Sequence, residues 1–125
     1  MIKLCDLDIG LYQCACPSIR ASEVILTEER IRHIQSHHPN DYERYHSYMT
    51  EIILRPDYII EDIRPNTAMI LKKILSEGEH FRLVLRLAAS TDNPNYKNSV
   101  ITFMKIREKE WNRLLRNKKI LYKFE

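Results

Sequence analysis

Glycine is scarce, with only two in 125 residues, which argues against a glycine-rich phosphate loop and against long flexible linkers. No apolar run approaches the roughly 20 residues of a membrane-spanning helix, and Met1-Ile2-Lys3-Leu4-Cys5-Asp6 has no apolar stretch of signal-peptide length. The chain is therefore expected in the cytoplasm, with no membrane partner. Its three cysteines, Cys5, Cys14 and Cys16, are an odd number in a chain with no secretory signal, and a reducing compartment argues against a disulfide framework. Cys14-Ala15-Cys16 is too short a loop for a relaxed bridge. On a strand these two thiols point the same way and would serve as small core hydrophobes. Internal repeats and low-complexity tracts are absent, so residues 1–125 are read as a single domain with an irregular or extended opening over 1–20.

What is present is an uneven distribution of charge. The formal net charge is only +3. Residues 97–125, however, hold nine Lys or Arg against three Glu, whereas residues 1–96 hold eleven against fourteen acidic side chains. A basic end on a mildly acidic body fits a polyanion-binding surface, and it also fits a solvated helix.

The periodicity places helices first and strands after them. Thr27-Glu28-Glu29-Arg30 supplies an N-cap and acidic residues for a first turn, with Ser22 as an alternative cap. Ile31 and Ile34 mark one face, and Pro39 ends that helix. A second helix is expected from Asp41 to Leu54, with Tyr42, Tyr45, Met49, Ile52 and Ile53 at helical spacing. Strands follow at Tyr58–Ile63, Ala68–Leu75, Phe81–Leu87 and Ser99–Ile106, then a short amphipathic helix from Glu108 to Asn117 and an edge strand at Lys119–Lys123. The predicted class is α+β: two N-terminal helices, a mainly antiparallel sheet of four to five strands with helices on one face, and a short C-terminal helix.

The most unusual feature is the histidine group in Arg30-Ile31-Arg32-His33-Ile34-Gln35-Ser36-His37-His38-Pro39. His33 and His37 are four apart and share a helical stripe, while His38 follows Ile34 toward the core at the turn. Imidazole suits proton transfer near neutral pH. A buried structural histidine is the bland alternative for any one of them. Zinc is a poor fit: Ile34 stands where zinc peptidase motifs carry glutamate, and His80, Cys14 and Cys16 are distant as further ligands. No metal or other cofactor is expected. Basic groups on the strands complement the imidazoles. Lys72 shares a face with Ile70 and Ile74, Arg82 and Arg86 oppose an apolar row, and strict alternation puts Ser99 and Lys105 on one face with Thr102 on the other. In the last helix Trp111, Leu114 and Leu115 face inward, and Arg113 and Arg116 belong to a basic rim. RNA contacts are expected at His37, Lys72, Arg82, Lys105, Arg113 and Arg116, with stacking by Tyr96 or Tyr122.

The run Val24-Ile25-Leu26-Thr27-Glu28-Glu29-Arg30-Ile31-Arg32-His33-Ile34, continuing to His38-Pro39, resembles phage-encoded nuclease-like domains related to barnase, EndoU, anticodon-cleaving colicins and RelE, the PBECR group of the BECR superfamily. Glu51-Ile52-Ile53, Pro56-Asp57-Tyr58-Ile59, Leu83-Val84-Leu85-Arg86-Leu87 and Tyr96–Phe103 extend the resemblance over about residues 22–123. It implies a concave sheet face and a metal-free ribonuclease. In such an enzyme a ribose 2′-hydroxyl attacks its own phosphate, leaving a 2′,3′-cyclic phosphate. It also implies that His33 and His38 are the family's helix histidines, Arg86 its strand arginine, and Ser99 or Thr102 its late-strand hydroxyl. His37 departs from the arginine often found at that position. Two rivals stay open: a non-cutting RNA-binding module, and a protein-interaction partner such as one half of a toxin–immunity or toxin–antitoxin pair.

Overall fold

The alternation Phe81, Leu83, Leu85 against Arg82, Val84, Arg86 builds the middle strand of a mixed sheet. The computed structural model describes residues 1–125. The elements are β1 (Ile2–Asp6), α1 (Ile9–Tyr12), β2 (Glu23–Leu26), α2 (Glu28–His37), α3 (Asp41–Tyr45), α4 (Met49–Leu54), β3 (Tyr58–Glu61), β4 (Thr67–Ile74), β5 (Glu79–Arg86), β6 (Asn98–Ile106), α5 (Glu108–Asn117) and β7 (Ile120–Lys123). The seven strands run in the order β1-β2-β6-β5-β4-β3-β7. Every neighbouring pair is antiparallel except β2 with β6. No helix is long and apolar enough to cross a membrane.

The class is α+β, as expected, but the sheet is larger than the four to five strands predicted. The opening 1–20, read as irregular or extended, holds the extended β1 and the single-turn α1. Two short strands were missed because four or five residues carry too little periodicity to stand out. Cys14 and Cys16 sit in the turns after α1 and not on a strand; Cys16 is buried and Cys14 exposed. The helix expected over Asp41–Leu54 is broken into α3, a 3₁₀ turn at His46–Tyr48, and α4. Its inward face survives the break, with Tyr45, Met49, Ile52 and Ile53 all buried.

Helices cover both faces, not one. The larger core packs α1 to α4 against Ile70, Phe81, Leu83, Leu85 and Phe103. A second, smaller cluster joins Ile60, Met69, Leu71, Val84 and Ile106 to Leu114 of α5 on the opposite face. Arg82 and Arg86 alternate with the residues of the larger core, so they stand on the α5 side.

Two features shape that side. The pairing of β5 with β6 slips between Val84 and Leu85, so that Ser99 faces Arg86 and Thr102 faces Val84. Ile101 is the extra residue of this β-bulge, and it reverses the alternation along β6. Ser99 and Thr102 therefore share the arginine face, whereas Lys105, opposite Phe81, stands on the other. This overturns the strict alternation read from the sequence. The second feature is the edge of β6. β2 pairs only with Asn98 and Ser99, and further along the Lys105 N–H donates to the Asp41 carboxylate of α3 at 2.9 Å.

Asn98 joins the strands at the base of the β5–β6 hairpin and is fully buried. Its Oδ1 accepts from the Ala88 N–H at 2.7 Å, and its Nδ2 donates to the Ala21 and Glu23 carbonyls at 2.7 and 3.1 Å. Asn98→Ala would strand these groups away from water. A loss of about 3 kcal/mol is expected, seen as a lower urea midpoint with an unchanged m-value.

Candidate functional site

Thr27 starts α2 by accepting the Arg30 N–H on its hydroxyl at 3.2 Å, and Glu28 and Glu29 occupy the first turn. Burial of Ile34 in the larger core fixes the helix's rotation. Arg30, His33 and His37, spaced by three and four, then share one stripe. The His33 and His37 rings stack with centroids 4.1 Å apart and planes inclined by 26°. His37 Nδ1 donates to the His33 carbonyl at 3.0 Å, which holds the stack together. His38 closes the helix, its N–H donating to the Ile34 carbonyl at 2.8 Å before Pro39.

Partial desolvation is the main cause that pushes the His33 imidazole below its usual range, and the neighbouring His37 and Arg30 add to it. His38 is also pushed down, first by burial; Asp41 opposes this, while Arg82 reinforces it. His33 is thus biased toward the neutral form that accepts a proton.

The sheet contributes a cleft of about 500 Å³. Its walls are Arg30 of α2, Arg64 and Pro65 of the β3–β4 turn, Thr67 of β4, Arg86 of β5, Tyr96 of the following loop, and Ser99 to Ile101 of β6. Three guanidiniums, the hydroxyls of Thr67 and Ser99 and the phenol of Tyr96 line it, with no carboxylate among them. Thr67 and Ser99 flank Arg86 from the strands on either side. Asp92 holds Arg86 in a fork, with Nη2 donating to Oδ1 at 2.9 Å and Nη1 to Oδ2 at 3.1 Å. Nη1 also donates to the Leu87 carbonyl. Arg86 Nε–H is left without a protein acceptor. The Tyr96 ring lies 5.1 Å from the guanidinium carbon. Asp62 grips Arg64 in the same manner, accepting from Nε at 2.8 Å and Nη2 at 3.0 Å. Hydrogen bonds from Arg86 hold the Asp92 carboxyl below its ordinary range, so the ion pair persists into acid.

Of the residues singled out in the sequence, the structure gathers Arg86 and Ser99 in one cleft. His33 does not line that cleft and stands one turn beyond Arg30 on the same helix stripe. Thr102 shares the arginine face but lies outside the cleft. Arg82 is on that face as well, beside Glu110 of α5. Arg113 and Arg116 line a separate groove along α5. Lys72 and Lys105 lie on the opposite face: Lys72, facing Phe81, pairs with Asp57 at 3.3 Å, and Lys105 pairs with Glu79 at 3.1 Å. Lys72 therefore does not assist Arg86, and Lys105 does not share a face with Ser99 as expected. Arg64, Thr67 and Asp92 were missed, because only the strand register and the loop path reveal that they adjoin Arg86. In the sequence Arg64-Pro65-Asn66-Thr67 reads as a turn and nothing more. No group of three or more His, Cys, Asp or Glu side chains is arranged to hold a metal ion.

A family described as phage-Barnase-EndoU-ColicinE5/D-RelE like nuclease2 matches residues 17–123. No curated protein and no solved structure matches the chain.

In an NMR titration, His33 and His38 should show midpoints below the 6.5 of an unperturbed histidine. Replacing His37 with Ala removes its lowering influence on His33, so the His33 midpoint should rise; a fall would contradict the electrostatic account. Because both folded-state midpoints are depressed, the unfolded chain binds protons first on acidification. Stability should decline as pH falls through the region below 6.5.

Proposed function

The chain belongs to this family of phage nuclease-like domains, and on that footing we propose that it is a metal-independent endoribonuclease acting in the cytoplasm. The observation that carries the reading is the cleft in which Arg86 and Ser99 face each other, with Arg30 of the histidine-bearing helix in its wall. An RNA phosphodiester in the cleft would meet the Arg86 Nε–H, the Arg30 guanidinium and the Ser99 hydroxyl. These groups stabilise the charge that grows on the non-bridging oxygens in a pentacovalent phosphorane. A lining of arginines and hydroxyls suits an anion and offers a divalent cation no carboxylate ligand.

In this reading His33 takes the proton from the ribose 2′-hydroxyl. The 2′-oxygen attacks phosphorus and the bond to the 5′-oxygen breaks. The leaving oxygen takes a proton from a neighbouring imidazolium, His37 or His38, and the products are a 2′,3′-cyclic phosphate and a free 5′-hydroxyl. His33, biased toward its neutral form, is suited to the accepting role. Tyr96 offers an aromatic surface for a base beside the scissile bond.

A second reading, a non-cutting RNA-binding module of the same fold, draws support from Asp92. Its carboxylate already occupies the end-on fork of Arg86, and an incoming phosphate would have to use the remaining edge. A ribonuclease of this kind also calls for restraint in its host, and an acidic immunity or antitoxin protein would complement the basic C-terminal end.

The test is incubation of the purified protein with total tRNA and rRNA in EDTA, followed by analysis of product ends. Cleavage yielding cyclic phosphates is expected. His33→Ala should lower the rate by about 10² to 10⁴-fold, and Arg86→Ala by about 10² to 10³-fold, both with an unchanged circular dichroism spectrum. RNA binding without cleavage would support the module instead. Activity lost in EDTA, or a His33→Ala variant that cuts at the normal rate, would refute the mechanism.

A further inference from the structure

Arg82 is a largely buried cation without an adequate acceptor. Its side chain is 22% exposed. Nε is buried and has no hydrogen-bond partner. Nη2 meets only the Met104 sulfur, a weak acceptor, at 3.2 Å. Nη1 lies 3.7 Å from Glu110, and both oxygens of that carboxylate accept from Arg113 at 2.7 Å. Burial also makes the charged form of Arg82 harder to keep. A guanidinium taken out of water normally carries an anion in its fork, and here the one nearby carboxylate stands off at 3.7 Å and is bonded to Arg113.

One other buried side-chain polar atom in the chain lacks a partner, the Thr102 hydroxyl. Thr102 faces Val84 and Arg82 faces Met104 across the same strand pair, so the two stand diagonally on one face. They are neighbours only because the bulge at Ile101 turned Thr102 toward the arginines. His38 lies within electrostatic reach of Arg82. Two unpaired polar groups side by side, one cationic and one a hydroxyl, make the donor set of a phosphate site.

This place is separate from the Arg86 cleft. Arg82 and Arg86 are four residues apart on β5, roughly 13 Å along a strand, and their side chains diverge, Arg86 to Asp92 and Arg82 toward Glu110. One phosphate cannot serve both. We propose that Arg82 and Thr102 form a second phosphate-binding station, which in RNA would hold a phosphodiester flanking the one in the Arg86 cleft. The placement within RNA rests on the ribonuclease reading above; the station itself does not. Glu110 sits at its mouth and gives way as the phosphate takes over Arg82. Glu110 also lines a groove of about 390 Å³ along α5, whose other walls, Arg107, Lys109, Arg113 and Arg116 with Ile106, are mainly basic.

Two measurements on the full chain test this. In the first, binding of a 2′-O-methyl oligoribonucleotide, which lacks the attacking hydroxyl, is followed across salt concentrations. Arg82→Gln should flatten the slope of log affinity against log salt by about 0.7, the loss of one single-strand phosphate contact. Arg82→Lys should restore the slope, and Thr102→Val should weaken binding about fivefold. In the second, inorganic phosphate is titrated while the Arg82 Nε–H resonance is observed. It should shift with phosphate and not with chloride of equal ionic strength, and less in Thr102→Val. Both effects together identify the station as one for RNA backbone. A phosphate shift in a protein that binds no oligonucleotide assigns the station to free phosphate, and the ribonuclease reading then fails alone. An unchanged salt slope together with an unmoved Arg82 resonance overturns the proposal.

Discussion

The open edge of β6 is the constraint on which the rest depends. β6 runs for nine residues, but β2 pairs with only the first two of them. An uncovered edge would leave backbone donors without partners and invite association with another chain. α2 and α3 close it, and the Asp41 carboxylate stands in for a neighbouring strand at the Lys105 N–H. Closing the edge from the side brings Arg30 of α2 into the wall of the Arg86 cleft. The short β2 and the place of Arg30 are thus one fact.

The arginines of that face fall into two kinds. Arg64, Arg86 and Arg113 are each gripped by a carboxylate close in sequence, Asp62, Asp92 and Glu110. Such pairs hold a flexible side chain in one geometry before any ligand arrives. Arg82 has no such companion of its own, since Glu110 is taken by Arg113. One set of cations is aimed in advance, and the other is left wanting an anion.

Elements with strong local signals were readable from the sequence. Thr27 as the cap of α2, Pro39 at its end, the alternation along β5 and the C-terminal edge strand all appear where the residues place them. What escaped was decided by pairing and not by local pattern. β1 and β2 are too short to announce themselves. The register slip at Ile101 is invisible in Ser99–Ile106, yet it decides that Thr102 joins Arg82 and that Lys105 does not. Arg64 and Thr67 of the cleft, and Asp92 that grips Arg86, come from a turn, a strand start and a loop. Only the register of Thr67 and Ser99 against Arg86 gathers them.

The hairpin formed by β5 and β6 is tied at its base by Asn98 and by the bridge between Ala89 and Ile19. Ser90 to Lys97 lie beyond that tie, held by the Ser90 N–H on the Ser18 carbonyl and by Arg20 on the Asp92 and Asn93 carbonyls, and they include the carboxylate and the aromatic ring that border Arg86. Insertions or deletions there would leave each strand partner unchanged. One side of the cavity can therefore be rebuilt while its floor stays constant, which lets a single scaffold acquire new preferences for what it holds without refolding.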